Sequence, residues 1–189
     1  NRVVEQSTVS DVSHTLAHLP ACSTCKACKR AKSRDVRHFS NRFDRDITDF
    51  GDIVSFDHLT LGQICYDDAN TPNTKKALVI RDLYTGFIDC IPVGTGGSKD
   101  SVKAINEFLG EDISRVKKFY SDNAVSFISA TKALQKPLET SQPGVPRSNA
   151  RIERTNQLIL DGTRVLLGQS GLPISFWASA ARTFCFLYN

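Results

Sequence analysis

Two spacings of apolar residues run along this chain, and the switches between them mark its elements. Ile53-Val54-Ser55-Phe56-Asp57-His58-Leu59 is a short apolar-rich run that predicts a buried strand over 53–61. Two further runs, Ala77–Leu83 and Phe87–Val93, flank Tyr84-Thr85-Gly86 and predict a β-hairpin. With the first strand they make a three-stranded antiparallel meander. The spacing then becomes helical. Val102, Ile105, Phe108 and Leu109 form one stripe on a helix from Lys99 to Leu109, with Ser98 as its cap. A fourth strand over 115–121, a short helix over 124–134 and a fifth strand near 136–140 follow. A long helix from about Asn149 to Leu167 turns Ile152, Ile159 and Leu166 to the core and Glu153, Gln157 and Arg164 to another face. Pro173 opens a last helix whose Phe176, Trp177 and Phe184 pack inward.

The segments between are polar. Residues 62–75 read as a loop, and 33–51 as a linker of alternating basic and acidic side chains. Gln142-Pro143-Gly144-Val145-Pro146 cannot be a regular element and is expected as a mobile loop. Gly94-Thr95-Gly96-Gly97 lacks the ending and context of a phosphate-binding loop and reads as a flexible connection. Asp49 and Asp52 precede the first apolar run and are expected to be exposed. Asp82, beside the hairpin turn, is expected to bond locally.

Length changes the picture only modestly: 189 residues allow one domain of ordinary size plus a small satellite. No apolar stretch approaches the roughly 18 residues of a membrane span, and no secretory signal is visible. The chain has no methionine and starts at Asn1, so a piece of a longer polyprotein or reading frame is expected. Cys65, Cys90 and Cys185 sit singly in apolar stretches, the pattern of buried thiols in a reducing compartment.

Charge is unevenly placed. The net charge is only +4, yet Lys26, Lys29, Arg30, Lys32, Arg34 and Arg37 cluster with a single acid, Asp35. Such a cluster suits phosphates, or else is a solvated linker without a partner. Just before it, His14 and His18 lie one helical turn apart, followed by Cys22, Cys25 and Cys28. Two imidazoles and two thiolates suit a closed tetrahedral zinc site. Two Cys-x-x-Cys registers are open on spacing alone. Zinc would fold this segment, which has little core of its own.

Three carboxylates are set apart by context. Asp57 lies inside an apolar strand, where an unneutralised charge costs several kcal/mol. Asp122 ends the fourth strand in Ser121-Asp122-Asn123. Glu153 sits in the first turns of the long helix, in Asn149-Ala150-Arg151-Ile152-Glu153-Arg154-Thr155-Asn156. Two strand positions and a helix start form a natural site for hard divalent cations, which take oxygen ligands and leave room for phosphate oxygens. Arg147, Arg151 and Arg154 would surround it with positive charge suited to phosphates, and Asn149 and Asn156 could bond such a ligand or brace the glutamate.

The order strand-Asp, then SerAspAsn, then AsnAla-x-x-Glu-Arg-x-Asn resembles the catalytic core of copia-like retrotransposon integrases, within the retroviral integrase superfamily. Between Asp57 and Asp122 lie 64 residues, and between Asp122 and Glu153 lie 30. The resemblance implies an α/β, RNase H-like mixed sheet flanked by helices over 52–189, preceded by a small zinc-binding module over 1–32 and the linker over 33–51. It implies Asp57, Asp122 and Glu153 as a catalytic triad holding two magnesium or manganese ions. It implies one structural zinc on His14, His18, Cys25 and Cys28, because Cys28-Lys29-Arg30-Ala31-Lys32 resembles the end of the family's zinc motif. The implied activity is metal-dependent 3′-end processing and strand transfer of element DNA into host DNA. The implied partners are DNA and further copies of the chain, with no membrane and with the nucleus as working site. Lys26, Lys29, Arg30, Lys32, Arg147, Asn149, Arg151, Arg154 and Asn156 are the nucleic-acid-binding candidates. A catalytically inactive or domesticated nucleic-acid-binding fragment of an element is the alternative, and an RNase H-type nuclease a further one.

Overall fold

The computed structural model describes residues 16, 18, 22, 24–31, 47–61, 75–141 and 149–189. A short helix, α1 (Lys26–Ala31), comes first. Then come β1 (Val54–Thr60), β2 (Lys76–Asp82) and β3 (Ile88–Val93). They are followed by α2 (Ser98–Leu109), β4 (Phe119–Ser121), α3 (Val125–Ala133), β5 (Leu138–Thr140), α4 (Ala150–Ser170) and α5 (Trp177–Tyr188).

The five strands form one sheet in the order β3-β2-β1-β4-β5. β1 to β3 are the antiparallel meander that the apolar runs predict, with Asp57 opposite Val79. β4 runs parallel to β1, and β5 parallel to β4. The sheet is therefore mixed, and β1 is its central strand. Because side chains alternate across a strand, β1 feeds two cores. Val54 and Phe56 join Leu78, Ile80, Ile105 and Phe127 on the α2/α3 face. Leu59 joins Val79, Ile152, Ile159, Trp177 and Phe184 on the α4/α5 face. Phe56 meets Phe119 and Phe127 edge-on, with ring centroids 5.4 and 4.8 Å apart. Asp57 points to the α4 side, where Asn156 meets it.

α4 and α5 pack closely because Gly162 presents no side chain. A Cβ there would fall 2.1 Å from Cδ2 of the buried Phe184 ring. Trp177 is fully buried in this layer, as core packing requires. Cys90 and Cys185 are buried free thiols, and burial raises both well above the usual thiol range.

Several local expectations are corrected. Asp52 is not exposed: it is 5% accessible. Its Oδ2 accepts from the Thr48 N–H, the Thr48 hydroxyl and the Asp49 N–H, and Lys117 pairs with its Oδ1. The Lys117 contact, with those backbone bonds, holds Asp52 well below the ordinary carboxylate range. Asp49 is exposed. The last residues of the expected linker, 48–51, are thus a turn fastened to the core. Ser98 does not cap α2; the cap residue is Gly97, without a side-chain bond. The first turn is held instead by Asp100, which accepts from the Thr95 N–H and hydroxyl at 2.7 and 2.8 Å. Of the fourth strand expected over 115–121, Arg115 ends a 3-10 turn (Gly110–Arg115), 116–118 are irregular, and only Phe119–Ser121 form a strand. The loops expected at 62–75 and 142–146 lie outside the described residues, apart from Lys75.

Candidate active site and metal centre

β1 and β4 set the first relationship. Their parallel register pairs Val54 with Phe119 and Ser55 with Tyr120. Asp122 follows directly on β4, beside the central strand that carries Asp57. α4 supplies the third carboxylate, crossing the same face with Glu153 in its first turn. All three interact. Burial pushes the Asp57 carboxyl up to about 6, and the charges of Asp122 and Glu153 push in the same direction. The hydrogen bond from Asn156 opposes them: its Nδ2 donates to Asp57 Oδ2 at 2.9 Å. Asn156 therefore braces the first carboxylate and not the glutamate.

A half-buried carboxylate repelled by two others asks for a cation. The amide oxygen of Asn156, turned away from Asp57, is buried without a hydrogen-bond partner, as is that of Asn149. Such orphaned acceptors beside acids fit a hard divalent ion and its water shell. The oxygens of Asp57, Asp122 and Glu153 do not all lie within 4.8 Å of one another.

Positive charge rings the entrance of α4. Arg151 and Arg154 are exposed on its first turn. Burial together with the guanidinium charges of Arg81 and Arg154 lowers the Arg151 pKa. Arg81, in β2, donates to the Thr155 hydroxyl at 3.1 Å; it is missed by sequence reasoning because a lone arginine in a strand carries no signal. His58 on the opposite face of β1 stacks on Phe127 at 4.4 Å, and burial lowers its pKa. Asp82 is fully buried and accepts from Gly51 N–H, Thr85 N–H and the Thr85 hydroxyl, the local bonding expected of it. The face of α4 expected to join Glu153, Gln157 and Arg164 is organised by buried Asp161, which Gln157 and Arg164 both contact.

The second centre lies at α1. His18 Nδ1 is 3.4 Å from Cys25 Sγ and 3.6 Å from Cys28 Sγ. A tetrahedral zinc with ordinary Zn–N and Zn–S lengths separates its N and S ligands by about 3.6 Å, so the three residues fit that ion. They are the only group of three or more such side chains gathered within 4.8 Å among the described residues. Cys22 is turned to the Thr24 hydroxyl, 2.9 Å away, and is not in the group. This is the Cys25/Cys28 register. Lys26 and Lys29 face solvent on α1. His14, Lys32 and Arg147, and the side chain of Arg30, lie outside the described residues.

Comparison with known proteins places these features in context. The chain matches no protein-family model. It is 41% identical over 51 residues to the retrovirus-related Pol polyprotein from transposon TNT 1-94 of Nicotiana tabacum, a match that covers 27% of this chain and 4% of that polyprotein. In fold it is similar to a chain of the simian T-cell lymphotropic virus intasome, solved in complex with PP2A regulatory subunit B56 gamma. The TM-score is 0.57 and the identity 19%, over 83% of this chain and 55% of that one. The catalytic core domain of BIV integrase is matched at TM-score 0.48 and 17% identity, over 69% of this chain and 80% of that one. The resemblance to retrotransposon integrases stands, and the α/β mixed sheet flanked by helices is the architecture it implies.

Proposed function

We propose that the chain is the zinc-module and catalytic-core portion of a retrotransposon integrase, a polynucleotidyl transferase that trims element DNA ends and joins them to host DNA. The observation that carries this reading is the electrostatic coupling of Asp57 to Asp122 and Glu153 on an integrase-like sheet. In this reading residues 1–32 form the zinc module, 33–51 the connection and 52–189 the core. Element ends and target DNA are its partners, further copies of the chain complete its working assembly, and the nucleus is its working site. Among the described residues no helix is long and apolar enough to cross a membrane.

Divalent ions held by Asp57, Asp122 and Glu153 would supply the Lewis acidity that activates the attacking hydroxyl and stabilises the leaving oxygen. The protein does the rest by position. Asn156 fixes the Asp57 carboxylate by donating to its Oδ2. Arg151 and Arg154 meet DNA phosphates at the start of the helix that carries Glu153, so backbone binding and carboxylate placement share one rigid element. His18, Cys25 and Cys28, with His14, would hold zinc and fold the N-terminal module.

The alternative is a DNA-binding fragment without catalysis, favoured by the separation of the three carboxylates beyond one ion's shell. Magnesium-dependent strand transfer from an oligonucleotide mimicking an element end into a plasmid decides. Joining by the parent chain and none by Asp122→Asn supports the transferase. DNA retention without joining by either supports the alternative.

A further inference from the structure

The zinc centre is not confined to its own module. His18 Nε2 lies 3.2 Å from Oε1 of Gln169, near the C-terminal end of α4. The Nδ1 atom of the same ring faces both thiols, at 3.4 and 3.6 Å. A metal-bound Nδ1 uses its lone pair, so the ring proton sits on Nε2 and donates to the Gln169 amide oxygen. Histidine ligands are commonly oriented by such an outer partner. The backbone adds a second sign of a fixed ring. His18 has φ 53°, in the left-handed region, and is 6% exposed. That conformation costs a non-glycine residue about 1 kcal/mol and persists where its surroundings hold it.

We infer that Gln169 is the outer-sphere positioning residue of the zinc site, and that zinc binding thereby docks the N-terminal module on the far end of the helix that carries Glu153. The inference rests on the zinc reading of the His18–Cys25–Cys28 cluster. Gln169 and Glu153 are sixteen positions apart on α4, about 24 Å along its axis. One helix therefore sets a carboxylate near Asp57 at one end and an amide acceptor beside the metal centre at the other. Ordering of the module and ordering of the last turns of α4 are linked, and by reciprocity a folded α4 strengthens zinc binding.

The test uses the whole chain, zinc alone as probe, and two variants. Gln169 is exposed and alanine is a good helix former, so Gln169→Ala keeps α4. Gln169→Glu retains an oxygen acceptor for Nε2–H. Zinc affinity is read by competition with a colorimetric chelator, and amide protection of residues 163–170 by hydrogen exchange with and without zinc. The expected result is that Gln169→Ala binds zinc about 10–100-fold more weakly and loses the zinc-dependent protection of 163–170. Gln169→Glu should match the parent in both. Wild-type affinity in Gln169→Ala, or zinc-dependent protection confined to 22–31 in the parent, overturns the docking while leaving the zinc site intact. Failure of the parent to bind one zinc per chain overturns both readings.

Discussion

Asn156 on α4 donates its amide to Asp57 Oδ2 on β1 across 2.9 Å, tying α4 to the central strand at the carboxylate itself. The bond works against the two forces that raise the Asp57 pKa, burial and the neighbouring Asp122 and Glu153 charges.

The first prediction concerns pH. The Asp57 pKa is raised from 3.8 to about 6, so its contribution to stability is complete below pH 4 and is lost as pH rises through about 6. In magnesium-free buffer Asp57→Asn should be more stable than the parent at pH 7.5, by about 1–2 kcal/mol once half-burial is allowed for, with the advantage gone at pH 4. Urea denaturation at both pH values checks this. Equal stability at pH 7.5 would show that the carboxylate is not strained.

The second concerns the α4–α5 seam. Gly162→Ala drives a methyl into the Phe184 ring and should destabilise by about 2 kcal/mol, overpacking exceeding the helix-propensity gain. Gly168→Ala on the same helix meets nothing within 4 Å and should stabilise by roughly 0.5–1 kcal/mol. Urea midpoints that shift alike for both would sink the seam argument.

A third separates structural from metal-facing acids. Asp82 holds three donors from two segments while fully buried. Asp82→Ala should cost more than about 3 kcal/mol. Asp82→Asn should lose less and keep a manganese-induced rise in Tm. Asp57→Asn and Asp122→Asn should each abolish that rise, read by thermal shift. A parent chain that shows no rise would remove the divalent-ion site.

The last concerns DNA. Arg154→Ala should weaken binding equally across sequences and lower the slope of log affinity against log salt by about 1. Fluorescence anisotropy over a salt series reads this, and sequence-dependent loss would instead mark Arg154 as a base reader.

Much of this was legible in the chain itself. The short apolar runs Ile53–Leu59 and those around Tyr84-Thr85-Gly86 mark strands because a strand buried on both faces reads as a near-continuous apolar run. The meander, α4, and the buried Trp177 and Phe184 follow from local pattern. Asp57, Asp122 and Glu153 stand out by chemical type and context; spacing leaves two Cys-x-x-Cys registers open, and only the resemblance singles out Cys25 and Cys28. Asp52 was misread because nothing local shows that Lys117, 65 positions on, returns to cover it. Arg81, Asp161 and Gln169 went unnoticed for the same reason.

Local periodicity and residue chemistry thus determine which segments are strands and helices and which side chains could do chemistry. Which of those side chains meet is decided only by tertiary structure. The parallel β1–β4 pairing brings Asp122 beside the strand that carries Asp57, the rotation of α4 aims Asn156 at Asp57, and the docking of α1 puts His18 against Gln169. Each is a contact across 65 to 151 positions of chain. Such contacts depend on strand register and helix rotation, which are set by packing of the whole core and leave no mark in any short stretch of sequence.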